Sequence, residues 1–147
     1  MPKKLFTIAA SLMVLGSLAV AQTSFSFTKA ARANIPFSFT VGDQVFPAGV
    51  YVAQLDRQNH IVLLRDQDKK ARLFLANNDD AKQISRNSQL IFRHLGDRFF
   101  LTAVFMGGSS EGERLLPGKV ENELARHESG PAKILAVQAQ ASADSAF

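Results

Sequence analysis

Residue types able to do acid–base or metal chemistry are sparse in this 147-residue chain, and their spacing keeps them apart. The three histidines, His60, His94 and His127, show no H-x-H or H-E-x-x-H spacing, and no cysteine exists to complete a zinc site. They fall in a turn, a strand and a helix. His127 follows Glu123 by four positions in a last helical turn, where a cation is favoured, so it reads as structural. The serines form no G-x-S-x-G elbow, and the absence of Cys leaves acyl transfer without a visible nucleophile. Acidic residues occur as Asp79 and Asp80 and as Glu111 and Glu113. Glycoside hydrolysis needs two carboxylates facing across a cleft, whereas neighbours in one loop point apart or repel, so both pairs read as solvated surface or a loose calcium loop. The glycine-rich stretch Met106 to Gly112 (MGGSSEG) lacks the G-x-x-x-x-G-K-[ST] spacing that cradles a phosphate and reads as a plain loop. A hydrolase would have to draw on His94, Asp97 and Arg98 near one hairpin turn. The sequence therefore assigns no catalytic, cofactor-binding or metal-binding residue, and the expectation is a protein that is not an enzyme.

The elements that would carry these residues are strands. In Asn34 to Val52 (NIPFSFTVGDQVFPAGVYV), Phe37, Phe39 and Val41 point one way while Pro36, Ser38 and Thr40 point the other, the period of a strand buried on one face. Gly42 and Asp43 reverse the chain, because Gly42 takes a positive φ without steric cost. Val45 and Phe46 resume the apolar run, Pro47 denies a sheet its donor and so sits at an edge or corner, and Val50 to Leu55 is rich in β-branched and aromatic residues. This stretch is a tight meander around which the chain is organised.

After it, Ile61 to Leu64 (IVLL) reads as a strand buried on both faces, and Ala71 to Ala76 (ARLFLA) as the next. Asn77 to Asn87 reads as a long polar surface connection. Ser88 to Leu95 and Arg98 to Phe105 form a second hairpin around Gly96 and Asp97, matching the first turn. Leu116, Val120 and Leu124 recur every four residues, with Pro117 at a first helical turn and Gly130 past the end, which predicts one amphipathic helix from about Pro117 to Glu128 across an open end or face of the sheet. Lys133 to Gln138 returns as a last strand. The count is seven to eight short strands with one C-terminal helix, a single mostly β domain folded as an antiparallel sandwich or small barrel.

At the start, Lys3 and Lys4 precede an uncharged apolar run from Leu5 to Val20, and Ala19, Val20 and Ala21 form an A-x-A cleavage signal. Residues 1–21 thus read as a secretory signal peptide, which places the mature protein in the periplasm or outside the cell, with no membrane span left after cleavage. Residues 22–33 are a leader that is either a short strand or loosely packed, 34–138 the β-rich domain, and 139–147 a flexible tail. Loss of Lys3 and Lys4 lowers 17 basic residues to 15 against 13 acidic ones, so the formal charge falls from +4 to +2. That small, scattered excess argues against nucleic acid as a partner. With no disulfide available, the core must hold the domain, and eleven of the twelve Phe belong to the mature chain. Trp 0 and Tyr 1 give no sugar-binding face, and the Phe residues read as core, although a Phe-lined barrel is also able to hold a small apolar ligand. Phe147 invites comparison with outer-membrane barrels, but the strands are short for a tilted span and no aromatic girdle precedes it.

Pro36 to Phe39, the Gly42–Asp43 turn, the Pro47 to Tyr51 corner and the Gly96 to Leu101 hairpin together resemble a family of small exported bacterial β-rich proteins of unassigned function. The resemblance implies a β-rich fold in the cell envelope and supplies no activity. Three roles follow as expectations: a module for protein interaction or structure, a carrier of a small apolar molecule, and a hydrolase. They are separated by an enclosed cavity for the carrier, convergent ionisable groups for the hydrolase, and neither for the first.

Overall fold

The computed structural model describes residues 21–22, 24–27, 30–81 and 83–142. The expected signal peptide, but for Ala21, and residues 143–147 lie outside them. The described chain runs β1 (Ala30–Ile35), β2 (Phe39–Val41), β3 (Gln44–Phe46), β4 (Gly49–Asp56), β5 (Ile61–Arg65), β6 (Ala71–Asp80), β7 (Ser88–Leu95), β8 (Arg98–Phe105), β9 (Glu111–Leu115), α1 (Lys119–His127) and β10 (Lys133–Ser142). Eight strands in the order β8-β7-β10-β1-β4-β5-β6-β9 close into an antiparallel barrel, because β9 pairs back to β8. The other two, β2 and β3, form a hairpin held to β8 by a parallel bridge between Thr40 and Phe100. The expected mostly β fold with one C-terminal helix is a closed barrel.

Two ten-residue strands make the wall possible. β6 pairs with β5 through Ala71–Leu75 and with β9 through Ala76–Asp80. β10 pairs with β7 through Lys133–Ala139 and with β1 through Gln140–Ser142. Each strand therefore changes neighbours partway along and turns a corner between two sheets. Where it is paired on one side only, the corner stays open.

The interior is filled by the chain's own side chains. Ile35, Phe39, Leu55, Leu64, Leu90, Phe92 and Val104 are all essentially inaccessible to solvent. Phe39 lies 5.3 Å from Phe46, 5.1 Å from Tyr51 and 5.4 Å from Phe92, measured between ring centres. Phe37 stacks on Phe99 at 4.0 Å. Edge-to-face and offset pairs of this kind add about 0.5–1.5 kcal/mol each beyond the burial itself. Nearly all these rings come from the Phe37 to Tyr51 meander or from the strands it touches, so the segment expected to organise the chain is the one that fills the barrel. Its corner is locked by the Tyr51 hydroxyl, which donates to the Pro47 carbonyl at 2.7 Å. Burial, helped by the Asp66 carboxylate, pushes the Tyr51 hydroxyl above its ordinary range.

The helix spans the two Gly-Asp turns. Gly118 offers no side-chain cap, but Asp43 Oδ1 accepts the Lys119 N–H at 2.8 Å, and a Cβ at Gly118 would collide with the Gly42 carbonyl. At the other end Glu128 Oε1 accepts the Gly96 N–H at 2.6 Å. Between them Glu121 is buried near Arg93 of β7; burial pushes its carboxyl up, and the guanidinium offsets part of that rise.

Several expected boundaries move. Pro36 to Ser38 is irregular, and only Phe39–Val41 pairs as strand. The helix starts at Lys119, two residues later than expected. Ala30–Ile35 is a strand within and beyond the expected leader, and β10 runs to Ser142, into the expected tail. The polar connection assigned to Asn77 to Asn87 begins instead with four strand residues, and Glu111–Leu115, partly assigned to the glycine-rich loop, is the strand that closes the barrel. The barrel wall holds eight strands, within the expected seven to eight, and the β2–β3 hairpin brings the total among the described residues to ten.

Candidate functional site

The chemistry-bearing residues gather mostly at one end of the barrel, where they hold each other. Asp56, inaccessible to solvent at the end of β4, accepts backbone N–H groups from Ser26, Gln58 and Asn59 and the Asn59 side-chain amide. Burial by itself would raise its carboxyl, but these four hydrogen bonds together hold it below the ordinary value of 3.8. Arg57 reaches the Glu111 carboxylate at 2.8 Å, the Glu111 carbonyl at 2.9 Å and the Ser109 hydroxyl at 2.7 Å. His60 sits in the left-handed region with φ 52°, and its Nδ1 lies 3.3 Å from both oxygens of Glu113, whose side chain is fully buried. Arg114 pairs with Asp79 at 2.6 Å.

The acidic pairs are therefore not loop neighbours. Asp80 stands opposite Glu111 across the β6–β9 ladder, and Asp79, Glu111 and Glu113 each face a different basic side chain. Among the described residues no group of three His, Asp or Glu side chains is placed to hold a metal ion. His94, Asp97 and Arg98 do not assemble either: the His94 ring stacks on Phe99 at 4.4 Å, and Asp97 and Arg98 are exposed at the turn. His94 and His127, far apart in sequence, line one shallow cleft with Glu128 and Lys133, a proximity that sequence spacing did not disclose.

A backbone edge without a neighbour lies at the opposite end, at the open corner beside β6; Lys133–Ala139 of β10, paired with β7 alone, is a second. In a strand, backbone groups alternate sides, and two contacts fix the phase here. Ala76 donates to the His60 carbonyl at 2.8 Å, on the β5 side, while Leu75 accepts from Leu116 at 3.4 Å, on the other. Ala71, Leu73 and Leu75 thus aim their N–H and C=O groups away from β5, where β9 does not reach. Among the described residues only the Leu75 carbonyl finds a partner on that side. The side chains of Leu73 and Leu75 are 51% and 67% exposed on the outer face. Across the corner stands β3, the terminal strand of the sheet, with Val45 70% exposed. Between them a cleft of about 710 Å³ opens, floored by Phe46 and Tyr51 and rimmed by Lys70 and Arg72. Phe46 and Phe74 meet across its inner side at 6.0 Å.

No family model, curated protein or solved structure matches this chain. The functional reading accordingly rests on geometry. Sequence reasoning marked Ala71 to Ala76 as a strand but missed its one-sided edge, because ARLFLA looks the same whether one neighbour or two lie beside it. The only available signal was the run of apolar residues at alternate positions on a strand already supplied with a buried face.

Proposed function

We propose that the mature protein is an exported, non-enzymatic module of the cell envelope or its surroundings that docks an extended polypeptide at the open corner beside β6. The observation carrying this reading is the unpaired edge of Ala71–Leu75 with its two exposed leucines. An extended segment laid there gains ladder hydrogen bonds of about 0.5–1.5 kcal/mol each and covers apolar area, the mode by which sheet edges recognise peptides. A long exposed edge left bare invites indiscriminate pairing, so a specific occupant also removes a liability. The carrier reading finds less support, since the residues that would line a lumen pack against one another instead. No described helix is long and apolar enough to cross a membrane.

A photo-crosslinking residue at position 73, compared with the same residue at Ile84, tests the proposal in the native envelope. Ile84 is a matched control, an exposed apolar residue (65%) outside every strand. A discrete polypeptide adduct at position 73 and none at 84 is expected; equal adducts at both, or none at 73, would overturn it.

A further inference from the structure

The cleft at the open corner is not alone. A second cleft, of about 350 Å³, meets it at Val50, Asp66 and Gln67, and is lined by Arg32, Arg65 and Lys69 around Val50 and Val52. Cross-strand register puts Arg32, Val52 and Arg65 in one row, so two guanidinium groups flank a valine on one face. The joined groove holds five cations (Arg32, Arg65, Lys69, Lys70 and Arg72) and two carboxylates (Asp66 and Asp68), a local charge of +3. The whole chain carries only +4. Of the two carboxylates, Asp66 is engaged in its own turn, accepting the Lys70 N–H at 2.9 Å. Lys70 and Arg72 make no ion pair among the described residues, in contrast to Arg57 and Arg114 at the other end.

From this charge, and resting on the docking reading above, we infer that the segment received at the open corner is acidic: an extended peptide with apolar residues beside Leu73 and Leu75 and carboxylates at the Lys70–Arg72 rim. The backbone edge selects a polypeptide over other polyanions, because the N–H and C=O groups that Ala71 and Leu73 aim away from β5 need a ladder partner. The cations then select its sign. Exposed charge pairs contribute little each, but several acting together shift affinity by about tenfold and make it salt-dependent.

The test uses three fluorescein-labelled ten-residue peptides of alternating Val-Glu, Val-Gln and Val-Lys, titrated by anisotropy against the full mature chain at low and high salt. Val-Glu is expected to bind about tenfold tighter than Val-Gln, Val-Lys weakest, and added salt to erase the order. The double change Lys70→Glu with Arg72→Glu lies at exposed positions and should invert the order. Leu73→Pro removes only an N–H that faces the open edge and should abolish binding of all three; N-methylation of alternate peptide residues should do the same without altering the protein. Equal affinities for the three peptides, each lost with Leu73→Pro or N-methylation, would overturn the acidic partner and leave the docking site standing. Absence of binding by any peptide, or binding indifferent to N-methylation, would overturn both. Binding of phosphatidylglycerol vesicles without binding of Val-Glu would assign the groove to an anionic surface and overturn the peptide.

Discussion

The two ends of the barrel close in opposite ways. At the His60 end, polar side chains engage one another: Arg57 with Glu111 and Ser109, although its Nε has no partner among the described residues, His60 with Glu113, and Asp56 with the turn that follows it. At the other end, the Phe37 to Tyr51 meander folds in and fills the barrel with rings, and the wall beside it is left open. The difference teaches where function can reside. An end whose charges are mutually paired offers little to a partner, whereas an end closed by apolar packing keeps its nearby backbone edge and cations available.

That contrast can be broken most severely at the aromatic end. Phe39→Ala removes a ring that touches three others and should cost about 3–5 kcal/mol by urea unfolding. A loss below 1 kcal/mol would mean that the meander does not organise the core. At the paired end, His60→Ala leaves the buried Glu113 carboxylate without its ring partner and should cost about 1–3 kcal/mol. A cost equal to that of Phe39→Ala would erase the distinction. Asp43→Ala removes the cap supplied to the helix from a distant turn, and a loss of about 1 kcal/mol with faster amide exchange in Lys119–His127 is expected. Unchanged exchange would show that packing alone holds the helix.

The smallest effect at neutral pH is the acid limb. The Asp56 carboxyl is held low in the folded chain, so its contribution is present above the ordinary value of 3.8 and is lost as pH falls through the lower folded value. The Glu121 carboxyl is raised, so its burial is best tolerated in acid and disfavoured as pH rises through its folded value. Glu121→Gln should therefore raise thermal stability near pH 7 and lose that advantage on acidification, measured by melting at several pH values. A gain that persists unchanged in acid would place its cause elsewhere.

Much of the fold was legible because local pattern and tertiary environment agree. Phe39 and Val41 lie inward as alternation requires, both Gly-Asp turns carry a positive-φ glycine, and the helix falls within its expected span. What escaped depended on distant partners. Ala30–Ile35 has three alanines and an asparagine among its six residues, weak strand formers, and becomes a strand by pairing with β4 and β10. Asn77 to Asp80 are poor strand formers, yet β9 pairs with them. Within β9, Gly112 is needed because a Cβ would collide with the Phe105 ring, and Glu113 is accommodated by a histidine more than fifty residues away. The matched turns were visible, but not the helix that ties Asp43 to Gly96. The open corner is likewise a property of what fails to lie beside β6, and within β6 only the alternate apolar residues Leu73 and Leu75 hint at it.

Native mass spectrometry of the protein purified gently from its source, with amide exchange of the same sample, tests whether a filled barrel works from its edge. A polypeptide-bound species in which the amides of Leu73 and Leu75 are protected is expected, with no stoichiometric small apolar mass. A bound apolar molecule with those amides still exchanging freely would contradict it, since such a ligand would have to occupy the space now taken by Phe39, Phe46 and Phe92.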